Sequence, residues 1–125
     1  MRLLIADRNA AVRSAAIVYL QNMLDLEGVG ESGDNGELLA QAEGFRADIV
    51  LLEWEFPGPA RTELVANLHA LDGRPSVIVL GSQLEQQQDA LAAGADYFSC
   101  KGAPPARLLA TMRLAMADHG AGQGL

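Results

Sequence analysis

Apolar strand-like runs alternate with helix-period runs along this 125-residue chain, which predicts a doubly wound parallel α/β domain of five strands and five helices. Two further observations agree. Ile49–Leu52 and Val77–Leu80 are apolar without period-2 alternation, as in strands buried on both faces beneath covering helices. Gly, Pro and capping residues punctuate the runs at spacings suited to short connections.

The elements follow in order. Leu3–Ala6 predicts a short buried first strand, leading into Asp7, Arg8 and Asn9. A helix from about Ala10 to Leu24 sets Val12, Ala16, Tyr19, Leu20 and Met23 at core-facing spacings. Gly28–Ser32 suits a short second strand. Asp34-Asn35-Gly36-Glu37 has the acid-x-x-Glu form of a capping box and opens a helix through about Glu43, stopped by Gly44. Ile49–Glu53 is the third strand, and Pro57-Gly58-Pro59 turns the chain into a helix over Ala60–Leu71, broken at Gly73-Arg74-Pro75. Val77–Leu80 is the fourth strand. Ser82-Gln83-Leu84-Glu85 is a second capping box, starting a helix that ends near Ala93 with Gly94 beyond it. Tyr97–Cys100 is the fifth strand and leads to Lys101. Pro104 and Pro105 suit the first turn of a last helix running to about Ala117. Gly120 to Leu125 reads as flexible, so one domain is expected over 1–118 and a flexible tail or linker stub over 119–125.

Composition narrows the function classes. The chain is long enough for one domain with a real core, and no apolar run approaches the 18 or so residues of a membrane span. The N-terminus carries Asp7 inside its short apolar run and reads as a strand, not a secretory signal. Cys100 is the single cysteine, which excludes an internal disulfide and fits a reducing cytosol, so a cytoplasmic location is expected. A net charge of −7 disfavours nucleic-acid binding through this domain's own surface; a basic domain on a longer chain escapes that argument. Eight of the nine basic residues are Arg, and Lys101 is the only lysine. That points to a requirement for a compact ammonium there, against a plain solvated lysine. His69 and His119 read as helix-surface residues without metal-ligand spacing. Trp54 and Phe56 flank Glu55 beyond the third strand, either as core or as partner contacts.

The acid at the end of the third strand, Glu53, stands at the carboxyl edge where open α/β sheets bind ligands. Four segments, in this order and separation, resemble the receiver domain of two-component response regulators, over the chain to about Ala117. They are LLIAD at Leu3–Asp7, DIVLLEWEFPG at Asp48–Gly58, VIVLGS at Val77–Ser82 and ALAAGADYFSCKGAPPARLL at Ala90–Leu109. The resemblance implies a flavodoxin-like sheet of order 2-1-3-4-5, with Asp7, Glu53 and Lys101 converging at one edge. It also implies a site where acids hold Mg²⁺, an Asp takes a phosphoryl group, and a hydroxyl and a lysine bind its oxygens.

Against that pattern the sequence departs at most positions. Asp7 matches the first acid, but Arg8 replaces the second, which removes an oxygen ligand and adds a repelling charge. Arg8 either projects into solvent or salt-bridges Glu53 or Asp7. Glu53 replaces the acceptor Asp, and its extra methylene displaces the attacking oxygen by roughly an ångström, enough to cost on the order of 100-fold. Gly81 falls at the hydroxyl position; Ser82, next to it, supplies either a displaced hydroxyl or a helix cap. Phe98 falls at the switch aromatic, and Lys101 matches. Arg61 stands where a Gly usually follows the Pro-Gly turn.

The expected function is therefore that of an atypical receiver in two-component signalling: not an enzyme, independent of phosphorylation, and acting as an interaction or dimerisation module. No cofactor is expected, and Asp7 with Glu53 make a poor Mg²⁺ pair. A protein partner or second copy is expected on the face of the fourth helix, fifth strand and fifth helix, which includes Gln86, Gln87, Gln88, Arg107 and Arg113, with a cognate histidine kinase as a further partner. The competing reading is a working phosphoacceptor using Glu53 with Asp7, Lys101 and Ser82. A flavin or nucleotide binder is disfavoured, since Asp7 to Ala11 contains no phosphate-binding glycine.

Overall fold

The computed structural model describes residues 1–33 and 35–123. Its elements are β1 (Arg2–Ala6), α1 (Ala10–Met23), β2 (Gly28–Ser32), α2 (Asn35–Phe45), β3 (Ile49–Glu53), α3 (Arg61–His69), β4 (Ser76–Gly81), α4 (Gln86–Ala92), β5 (Tyr97–Cys100) and α5 (Pro105–Gln123). The strands form one parallel sheet of order β2-β1-β3-β4-β5. The expected fold class is the observed one.

Strand alternation divides the core between the two faces. Leu4, Ala6, Val50, Leu52, Val77 and Val79 face Leu38 and Ala42 of α2, Leu64, Val65 and Leu68 of α3, and Ala90 of α4. Leu3, Ile5, Ile49, Leu51, Ile78 and Leu80 face Leu20 of α1 and Leu109, Met112 and Ala115 of α5. All of β3 is buried, which explains its unbroken apolar sequence. Phe56 is buried in the first cluster, and Trp54 packs against it half-buried. Phe56 therefore follows the core reading, while Trp54 lies at the edge of the core and also lines a cleft beside Glu53.

Several boundaries differ from expectation. The Asp34 cap lies outside the described residues. The second helix passes Gly44 to Phe45 and ends where Arg46 takes a left-handed φ of 54°. On α1, Met23 is exposed, and Ile17 packs against the core in its place. The fourth helix begins at Gln86, four residues after Ser82, and Glu85 makes no side-chain cap. The capping-box reading of Ser82 is thus corrected. Gln86 caps from within, its Oε1 accepting the N–H groups of Ser82 at 2.9 Å and Gln83 at 3.2 Å.

The last helix runs beyond Ala117 to Gln123, so residues 119–123, expected as tail, are helical. Side-chain anchors explain this. Buried His119 places Nε2 3.1 Å from Asp48 Oδ1, and the Tyr97 hydroxyl donates to Asp118. His69 is likewise no surface residue: its Nε2 lies 2.7 Å from Asp96 Oδ2. Asp48 and Asp96 each precede a strand and accept the N–H of a neighbouring one, from Arg2 and Val77, both at 2.8 Å. Among the described residues no helix is long and apolar enough to cross a membrane.

Candidate functional site

Strand register assembles the site. Ala6 pairs with Leu52, Glu53 with Leu80 and Gly81 with Cys100, so Asp7, Glu53 and Lys101 all emerge at the carboxyl edge of the sheet. Asp7 is 2% exposed and Glu53 6%, so both carboxylates are removed from water and need partners.

Lys101 joins them. Its Nζ lies 2.9 Å from Asp7 Oδ2 and 3.1 Å from Glu53 Oε2. The contact to Glu53 is a hydrogen bond. The contact to buried Asp7 Oδ2 is a charge pair off the hydrogen-bonding axis. Asp7 Oδ1 accepts the Asn9 N–H at 2.8 Å, and Asn9 in turn caps α1 through the N–H groups of Ala11 and Val12. Asp7 therefore serves the loop and the ammonium together.

Arg8 takes the salt-bridging alternative. Its Nε lies 3.0 Å from Glu53 Oε1, its backbone N–H donates to the same oxygen at 3.1 Å, and its Nη2 lies 3.1 Å from Glu55 Oε2. Burial draws the Glu53 carboxyl upward, but hydrogen bonds from Arg8 and Lys101 outweigh it and hold the carboxyl below its ordinary value. Burial likewise opposes charge on Lys101, and its two carboxylates override that and raise it. Hydrogen bonding to Glu53 raises Arg8 further.

Arg61 was legible as a departure, but its role was not. Its guanidinium folds back onto the β3–α3 loop, with Nη2 2.6 Å from the Phe56 carbonyl and 3.1 Å from that of Pro59. Burial lowers its pKa, and the Glu53 charge opposes the shift. Glu55, Arg8's second partner, carried no signal in the sequence beyond its charge. What remains open at the edge is a cleft of about 100 Å³ walled by Arg8, Glu53, Trp54, Glu55, Leu80, Ser82 and Lys101.

Of the remaining expected residues, Gly81 is buried at the end of β4 and Ser82 is exposed at the cleft. Phe98 is half-buried beside the α3–α4 core. Gln87, Gln88, Arg107 and Arg113 are exposed, whereas Gln86 turns inward to cap α4.

No family model matches the chain. It is 26% identical over 117 residues to the oxygen regulatory protein NreC of Staphylococcus aureus, a match covering 90% of this chain and 54% of that protein. The chain thus spans about half the length of the curated relatives it matches. A response regulator receiver domain protein (CheY-like) from Methanospirillum hungatei JF-1 superposes with a TM-score of 0.81 at 25% identity, over 97% of each chain. In sequence and fold the chain is similar to response regulator receiver domains. A two component transcriptional regulator AraC from Clostridium phytofermentans shares the fold, with a TM-score of 0.85 over 100% of this chain and 99% of the other at 18% identity.

The Mg²⁺ that the resemblance implies does not fit the side chains at this edge. Both Glu53 oxygens and Asp7 Oδ2 face the cations Arg8 and Lys101, and Asp7 Oδ1 is taken by a backbone N–H. Among the described residues no three His, Cys, Asp or Glu side chains gather to hold a metal ion. A divalent ion would have to enter against a guanidinium and an ammonium already paired with these carboxylates.

Proposed function

We propose that this receiver domain is a two-component signalling module whose conformation is set without phosphorylation, and that it acts through protein contacts and not as an enzyme. The observation that carries this reading is the pairing of Glu53 with Arg8 and Lys101. Phosphoryl transfer of this type is catalysed by positioning and charge neutralisation around an in-line nucleophile. Here the position of the nucleophile is filled by a carboxylate whose lone pairs already meet two cations, and whose counter-charges are fixed parts of the chain.

Partner contact is assigned to the face of α4, β5 and α5, where Gln87, Arg107 and Arg113 are exposed with Leu84, Leu91 and Leu114. A second copy or a cognate histidine kinase is the partner class. The half-length match to NreC supports a setting within a longer regulator, with output, such as DNA binding, carried by another domain. This domain's own charge of −7 supports leaving nucleic acid to that domain.

Incubation with acetyl phosphate and Mg²⁺ tests the reading. The intact mass is expected to stay unchanged. An adduct of about one phosphoryl group (~80 Da) would replace this reading with that of a working acceptor at Glu53.

A further inference from the structure

Gly81 ends β4 at a place where a side chain would have to displace its neighbours. A Cβ built there would lie 2.7 Å from Phe98 Cε1, 2.8 Å from Phe98 Cζ and 2.5 Å from Gln86 Oε1, well inside the separation any real Cβ keeps. The register explains the first contact. Phe98 pairs with Val79, two residues before Gly81 and on the same face of the sheet, so its ring leans over the bare position. The second comes from the other side. Gln86, the first residue of α4, folds its carboxamide back over the same spot while accepting the N–H groups of Ser82 and Gln83. The end of β4, the ring from β5 and the start of α4 therefore share one small volume.

We propose that Phe98 and Gln86 jointly fill the Gly81 notch as an interlock that fixes the start of α4. The α4–β5 surface, with exposed Leu84 and Leu91, is then held by packing and not by the charges around Glu53. The proposal rests on the phosphorylation-independent reading only in naming that surface as the one partners meet. The three contributions are chemically distinct: Gly81 supplies space, Phe98 fills it with a rigid ring, and Gln86 ties the filled notch to the backbone of the β4–α4 connection.

A substitution cycle tests this. Gly81→Ala, Phe98→Ala and the pair are compared by urea unfolding and by amide spectra. Gly81→Ala is expected to shift amides across 82–91 and 97–100, and to cost at least about tenfold more in unfolding constant with Phe98 present than in the Phe98→Ala background. Glu53→Gln is expected to leave the α4 amides in place, while Phe98→Ala and Gln86→Ala each move them; these three variants decide the matter if Gly81→Ala does not fold. An additive cycle, or α4 amides that follow Glu53→Gln as far as they follow Phe98→Ala, would overturn the interlock. Phosphoryl uptake by the unsubstituted chain would sink the signalling reading and leave the cycle untouched, so the two failures are separable.

Discussion

Arg8 Nε lies 3.0 Å from Glu53 Oε1, and Arg8 Nη2 lies 3.1 Å from Glu55 Oε2, so one guanidinium spans the strand acid and the loop acid after it. The side chain is half exposed, and the Glu53 carboxylate it meets is nearly dry. A positive charge supplied by the chain therefore stands beside the carboxylate that ends β3. This relationship makes the metal question directly testable.

Exchanging the guanidinium for a carboxylate removes a repelling charge and adds an oxygen ligand. Arg8→Asp is expected to bind Mg²⁺ at least about tenfold more tightly than the parent chain, a modest fraction of the charge interaction available at about 4 Å near a protein surface. Trp54, the only tryptophan, lines the same cleft and reports binding through its fluorescence. Equal affinity in the two proteins would show that Arg8 is not what keeps the ion out.

Lys101 and Arg8 differ in what they leave behind. Lys101→Met strands the buried Asp7 Oδ2 without its counter-charge, and the expected loss is about 3 kcal/mol in urea unfolding. Arg8→Ala breaks a pair with one exposed partner, and the expected loss is under about 1 kcal/mol. Equal losses would place the two cations in equivalent surroundings, contrary to the burial described.

The pH dependence follows from the two directions of shift. Glu53 is held below its ordinary value of 4.5, so its pairs stabilise the fold above that pH, and the contribution is lost as pH falls through the lower folded value. Lys101 is held above 10.5, so its contribution is complete below that pH and is lost as pH rises through the higher folded value. The urea midpoint is expected to contain no step from this cluster between the two. Glu53→Gln is expected to shallow the acid limb selectively. An acid limb unchanged by Glu53→Gln would assign the loss to other carboxylates.

How much was legible beforehand can be judged at particular residues. The bounds of β3 and β5 follow from apolar runs that the sequence shows directly, whereas β2, GVGES, carries one large apolar residue and little signal of its own, although its bounds also agree. That Asp7, Glu53 and Lys101 each follow or end a strand was legible locally, but their meeting required the strand order that the receiver resemblance implies. The start of α4 was misread because Ser82-x-x-Glu85 imitates a cap, while the acceptor actually used sits one residue further on, at Gln86. The end of α5 was misread because Gly120 and Gly122 each cost a helix about 1 kcal/mol. The restoring contacts, His119 to Asp48 and Tyr97 to Asp118, span the sequence and leave no local trace. The tight fit at Gly81 is equally non-local.

Arg61 supplies a further test. Its hydrogen bonds to the Phe56 and Pro59 carbonyls tie down the loop after β3. Arg61→Ala is expected to cost about 1–3 kcal/mol and to speed amide exchange across 54–60. Unchanged exchange there would mean the loop is held by Phe56 packing alone.

Met1 and Gly120 of α5 come together at the rim opposite the charged cleft. The Met1 ammonium pairs with Glu27 at 3.1 Å, and Met1 Cε lies 3.7 Å from where a Cβ on Gly120 would stand. Ends this close make the domain a natural subject for circular permutation. A short Gly/Ser bridge from Gln123 to Met1, with new termini opened at the exposed Asp72–Gly73 turn, would reorder β1 behind β5 without moving an atom of the Asp7–Glu53–Lys101 cluster.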